Sequence, residues 1–274
     1  MSFLPAIPIG GIAGWQFLKR TEEAQRAVFD KNALIARETA YFRENIAKAD
    51  SIDKLMADRT LLKVALGAFG LEDELPKKAW IRKILEEGTQ SNEALAMRLT
   101  DRRYRQFAEA MGYGNPGGAR VADPGFADRM IAAYRTRQFE VAVGEVDDDM
   151  RLALNFRRAI AEVVSAKTEK ARWFAIMGDK PIRTVIDAAL GMPKELAKVD
   201  VDKQVDFYAE RAARVLKIDD PQELADPGVV EETIRRFLVR RQIENGPSAL
   251  TPGMGALTLL QGAVGFQNLV LSNG

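Results

Sequence analysis

The strongest constraint on the fold is a passage that occurs twice. From Asp58 the chain reads DRTLLKVALGAFGLEDEL, and from Asp179 it reads DKPIRTVIDAALGMPKEL. Asp58/Asp179, Val64/Val185, Ala68/Ala189, Gly70/Gly191 and Leu75/Leu196 stand at matching positions. A second box follows in each half, DRRYRQFAE from Asp101 and DKQVDFYAE from Asp202. A third opens with ADPG at Ala122 and again at Ala225, trailed by Ile131/Ile234, Tyr134/Phe237 and Arg137/Arg240. Each box specifies a helix. Its Asp is placed to accept backbone N–H bonds at the first turn. The V-x-x-x-A spacing turns an apolar stripe inward. Gly70 or Gly191 can take the left-handed conformation that ends a helix, and the Pro of ADPG suits a first helical position.

Helix follows helix elsewhere. Ala24, Val28, Ile35, Phe42, Ile46 and Ala49 recur at helical steps and predict one long helix over 15–49. Further helices are expected over 53–69, 77–87, 91–99, 101–111, 125–143, 147–177, 179–190, 200–216, 227–243 and 254–271. No stretch alternates with the period of two that a sheet requires. The expected fold is all-α, with two tandem, sequence-related modules over 51–145 and 146–246. The first carries an extra helical stretch, Lys77 to Leu99. A long N-terminal helix with an apolar lead (1–50) and an apolar C-terminal helix (247–274) flank them.

Composition then removes whole classes of chemistry. The 274 residues include no Cys and no His, so thiolate nucleophiles, disulfides, imidazole bases and Cys/His zinc sites are excluded. Forty basic against thirty-nine acidic residues give a net charge of +1, too little to steer the chain toward nucleic acid or an anionic membrane. The apolar N-terminus is interrupted by Pro5, Pro8, Gly10, Gly11 and Gly14 and lacks a basic lead, so it does not read as a secretory signal. Neither apolar end predicts membrane insertion. A cytoplasmic protein is expected, or one exported without a cleaved signal.

The remaining candidate motifs have plain explanations. The Gly112–Gly118 run lacks the lysine and spacing of a phosphate loop and reads as an inter-helix turn. Asp147-Asp148-Asp149 suits the positive end of a helix better than a cation site. Arg235-Arg236 and Arg240-Arg241 make the most basic patch, without the aromatic interleaving of a nucleic-acid face. Trp15, Trp80 and Trp173 read as core or interface anchors. No catalytic, cofactor-binding or metal-ligating residue is predicted.

Tyr134 to Arg158, YRTRQFEVAVGEVDDDMRLALNFRR, is the densest unusual text. It lies at the junction of the modules and predicts two antiparallel helices turning at Gly144. Tyr134, Arg135, Arg137, Phe139, Glu140, Arg151 and Arg157 are the candidate interaction residues. They form either a structural hinge or a partner-binding groove with arginine anchors.

AFGL at Ala68–Leu71, YRTRQFEVAVGE at Tyr134–Glu145, RLAL at Arg151–Leu154 and ALGM at Ala189–Met192 together resemble an alphaproteobacterial family, domain of unknown function 1217. The resemblance runs from about Ile46 to Phe237. It implies an all-α protein tied to flagellar assembly or function and carries over no catalytic residues. The expected role is therefore that of a non-enzymatic structural or interaction protein with protein partners, including flagellar components, and with self-association through the apolar termini. Two alternatives stand beside it: an enzyme or ligand-binding protein that grips an acidic molecule with the junction arginines, and a nucleic-acid-binding regulator.

Overall fold

Asn32 breaks the first predicted helix. Its side chain accepts the Leu34 N–H at 2.9 Å, so the expected helix over 15–49 is two: α1 (Gly11–Phe29) and α2 (Ala33–Asn45). A polar Asp30-Lys31-Asn32 turn can satisfy a new helix start as well as continue an old one, and the Asn cap decides it. The structure, a computed structural model, describes residues 3–245. The predicted helix over 254–271 and the apolar segment 247–274 lie outside the described residues.

The described residues form thirteen α-helices and no strand. After α2 come α3 (Ile52–Ala57), α4 (Arg59–Gly67), α5 (Lys78–Glu87), α6 (Leu95–Arg98) and α7 (Arg102–Met111). Then follow α8 (Phe126–Val146), α9 (Asp148–Val163), α10 (Glu169–Gly178), α11 (Lys180–Leu190), α12 (Val201–Val215) and α13 (Pro227–Glu244). Two more predicted helices are split by aspartate or threonine caps. Asp58 accepts from Thr60 and Leu61 and divides 53–69 into α3 and α4. Thr168 accepts from Ala171 and starts α10 afresh within 147–177.

The capping boxes perform unequally. Asp58, Asp101 and Asp179 each cap their helices as the sequence predicts. The cap of α12, however, is Asp200, two residues before the Asp202 of the box. Asp226 caps α13, with Pro227 in its first turn, but Asp123 sits in a turn and α8 starts after Gly125. The paired glycines share a left-handed conformation, with φ of +69° at Gly70 and +65° at Gly191, but only Gly191 ends its helix; α4 stops at Gly67 and Gly70 lies in the turn beyond it. Arginines close over both helix ends: Arg137 donates to the carbonyl of Ala68, which follows the last residue of α4, and Arg211 donates to those of Leu190 and Gly191 at the end of α11. Donors on orphan carbonyls complement the negative end of a helix.

The expected turn at Gly144 is displaced. α8 runs through Gly144 to Val146, and the chain reverses at Asp147, which caps α9 through the Met150 N–H at 3.1 Å. Gly144 instead makes room, because a Cβ there would lie 2.4 Å from Cδ of Arg151.

α8 and α9 pack against each other at the centre. α2 and α4 cover α8, while α11 and α13 cover α9. Buried apolar side chains from both predicted modules join one cluster, from Trp15 through Leu62, Phe107, Phe139, Phe156 and Ile186 to Phe237. The apolar N-terminus contributes to it. Trp15 and Leu18 are buried, and Phe3 packs against Phe29 and Phe139 with ring centroids 5.5 and 6.5 Å away. Much of the N-terminal surface expected to self-associate is therefore spent inside the chain, leaving Leu4 and Ile9 exposed.

Candidate functional site

Two aspartate-capped helix starts converge on α8 and α9. Asp101 begins α7 by accepting the Arg103 N–H at 3.0 Å, and Asp179 begins α11 by accepting the Ile182 N–H at 3.1 Å. Between them and the α8–α9 pair lies an open cleft of about 440 Å³. α9 lines it with Arg151, Asn155, Arg158, Ala159 and Glu162, all on one face at steps of three and four. From α8 come Arg137 and Glu140, one turn apart.

Six cations and four carboxylates line this cleft: Arg102, Arg103, Arg137, Arg151, Arg158 and Lys180 against Asp101, Glu140, Glu162 and Asp179. Three of the cations are neutralised locally. Arg103 is held by Asp101 at 2.7 Å, Arg151 by Asp148 at 2.6 Å, and Arg158 by the buried Glu140 at 2.6 Å. Arg102, Arg137 and Lys180 have no carboxylate oxygen within 4.0 Å among the described residues. Arg102 is placed by a bond to the Val163 carbonyl, and Arg137 by a 2.9 Å bond from Nε to the Ala68 carbonyl.

Arg137 is the least comfortable of these charges. Burial, reinforced by the neighbouring Arg158 guanidinium, pulls it down from the ordinary arginine range to about 10. Burial also raises the Asp179 carboxyl above its ordinary value, with Asp101 nearby adding to the effect. Asp101 itself goes the other way, because its bonds to Arg103 outweigh its own burial.

The cleft continues into a second groove of about 560 Å³, which shares Gln106, Arg137, Arg158 and Glu162 with it. The floor of this groove is small and apolar, with Ala68, Phe69, Ala110, Ala132 and Ala133. Glu109 and Thr136 stand at its sides, so the two together make one furrow, densely charged in the cleft and with an apolar floor under a polar rim in the groove.

The predicted interaction residues do not share one surface. Arg137, Glu140 and Arg151 line the furrow. Tyr134 and Phe139 are fully buried; the Tyr134 hydroxyl donates to Glu38 at 2.6 Å and Phe139 packs edge-on to Phe29. Arg135 faces α2, with Nη2 donating to Thr39 at 3.2 Å and Asp30 3.6 Å away. Arg157 pairs with Glu22 and stands over the Trp15 ring, 5.2 Å from its centroid. Residues two apart on a helix point to nearly opposite sides, which separates Arg135 from Arg137.

Sequence reasoning missed Arg102, Arg103, Arg158 and Lys180. Three belong to α7 and α11, remote in sequence from the junction, and only the aspartate caps mark where those helices begin. Of the three tryptophans, Trp15 and Trp173 are core, whereas Trp80 is 37% exposed and meets Tyr104 edge-on. The basic patch on α13 is largely paired: Arg235 and Arg236 with Glu232, and Arg241 with Asp149 and Glu244.

A family model described as protein of unknown function (DUF1217) matches residues 68–224. The chain belongs to this family. The matched segment contains every residue lining the cleft and the adjoining groove. The chain is also similar to the crystal structure of a structural-genomics target protein from Agrobacterium tumefaciens. The TM-score is 0.72 and the identity 27%, over 88% of this chain and 99% of that one. No curated protein matches. Neither likeness names an activity. Among the described residues, no helix is long and apolar enough to cross a membrane.

Proposed function

We propose that this chain is a non-enzymatic helical interaction protein, associated with flagellar assembly or function, whose binding face is the furrow between α7, α8, α9 and α11. One observation carries the reading: among the described residues, the half-buried Arg102 and Arg137 and the exposed Lys180 line an open cleft with no carboxylate oxygen within 4.0 Å, beside a groove with an apolar floor. A cation half-removed from water and left unpaired is costly. A partner's anionic group repays that cost, and arginine is the residue type that most often anchors protein interfaces. The flagellar link rests on the family resemblance.

Deleting the gene and complementing it with the parent chain or with Arg137→Gln tests both parts. The expected outcome is impaired swimming in the deletion, restored by the parent and restored incompletely by Arg137→Gln. Normal motility and normal flagella in the deletion contradict the flagellar association. Full rescue by Arg137→Gln contradicts the assignment of the furrow.

A further inference from the structure

Three features of the furrow bear on what it holds. First, the unpaired charge lies in the cleft and reaches the point where cleft and groove join, at Arg137. Arg137 is fixed through Nε on the Ala68 carbonyl, which leaves its terminal nitrogens to donate into the cleft, where Lys180 also stands. A fixed, planar guanidinium suits a carboxylate, which it can grip with two parallel bonds. Second, the starts of α7 and α11 meet in the cleft with their N–H groups already held by Asp101 and Asp179, so the guanidinium and ammonium groups, rather than the helix ends, are what an incoming anion meets. Third, the space does not close around that point. It runs on past Gln106 and Glu162 into the groove floored by Ala110, Ala132 and Ala133. A small dicarboxylate fills the charged end and leaves the apolar floor wet; an elongated chain covers both.

We infer that the furrow receives a protein segment that places an Asp or Glu side chain on Arg137 and lays small apolar side chains along Ala110, Ala132 and Ala133. This rests on the interaction-protein reading above but not on its flagellar part. The carboxylate supplies a direct partner for Arg137, which has none within 4.0 Å among the described residues, Glu140 and Glu162 acting on it only from farther away. The bond is made in a partly desolvated site, where truncating one partner of a charged pair costs more than at an exposed rim. Glu140, already committed to Arg158, and Glu162 and Glu109 along the groove repel an acid placed anywhere but on Arg137 and so set the register.

The test uses the full chain and a display library of random linear peptides, selected on the parent protein and counted again on Arg137→Gln. The library is expected to enrich peptides with an acidic residue beside small apolar ones. Synthesised singly, these should bind at least about tenfold more weakly to Arg137→Gln while binding Arg235→Gln, on α13 and outside the lining of the furrow, unchanged. Far-UV circular dichroism and melting of each variant confirm that it is folded. Enrichment of peptides without acids, equal binding to Arg137→Gln, or no enrichment overturns the inference. So does a succinate titration that stabilises the parent through Arg137 and displaces the peptides completely at equal concentration, because the free dicarboxylate is then the better occupant. Arg137-dependent peptides together with normal motility in the deletion leave this inference standing and remove only the flagellar role.

Discussion

The Tyr134 hydroxyl donates to the Glu38 carboxylate at 2.6 Å, joining α8 to α2 within the core. Lys63 of α4 holds the other oxygen of the same carboxylate at 2.7 Å. Burial, followed by the bond to Glu38, pushes the tyrosine well above its ordinary range, which keeps it the donor of this bond. Tyr134→Phe leaves the buried Glu38 with Lys63 alone and should cost about 1–3 kcal/mol. Urea unfolding followed by circular dichroism measures this. A midpoint equal to that of the parent would show that the bond contributes nothing.

The same tyrosine explains Gly67. A Cβ at Gly67 would lie 2.7 Å from two ring carbons of Tyr134. Gly67→Ala should therefore destabilise by about 1–3 kcal/mol through overpacking, although alanine is the better helix former. A rise in the melting temperature would mean that the ring gives way at little cost.

Much of this architecture is legible in the sequence, residue by residue. Asp58, Asp101, Asp147 and Asp179 announce helix starts because a cap needs only a short acceptor before an apolar stripe. The break at Asn32 is hidden by good helix formers on both sides, and the true start of α12 by two aspartates, Asp200 and Asp202, either of which can cap. The furrow is half legible. The junction text supplies Arg137, Glu140 and Arg151, but helical geometry turns Arg135 and Arg157 away from it. Arg102 and Lys180 come from helices whose approach depends on tertiary packing, which no local pattern encodes.

Acid should weaken the fold partly through Glu22. Burial raises its carboxyl, but the bonds and charges of Arg157 and Arg26 outweigh burial and leave it below its ordinary 4.5. The folded state thus binds this proton less readily than the unfolded chain does. The stabilisation is complete above the unfolded value and is lost as pH falls through the lower folded one. Arg157→Gln should be less stable at pH 7 and should lose less stability than the parent on acidification below about pH 4.5. Parallel stability curves for the two proteins would contradict this coupling.

Fluorescence distinguishes the tryptophans. Trp15 and Trp173 are each 1% exposed and Trp80 is 37% exposed. Iodide should quench only part of the emission, and Trp80→Phe should remove the quenchable part. Quenching that persists in Trp80→Phe would place Trp15 or Trp173 at the surface and contradict the packing of the core.

The furrow's role as a binding face is tested most directly by a photo-crosslinking amino acid placed at Thr136, which lines the apolar groove one residue before Arg137. The adducts are identified by mass spectrometry in cells producing the chain from its own locus. A discrete adduct to one protein, crosslinked through an acidic–apolar segment and lost when Arg137→Gln is added, is the predicted result. No adduct at Thr136, or an adduct of equal yield in the Arg137→Gln background, would contradict it.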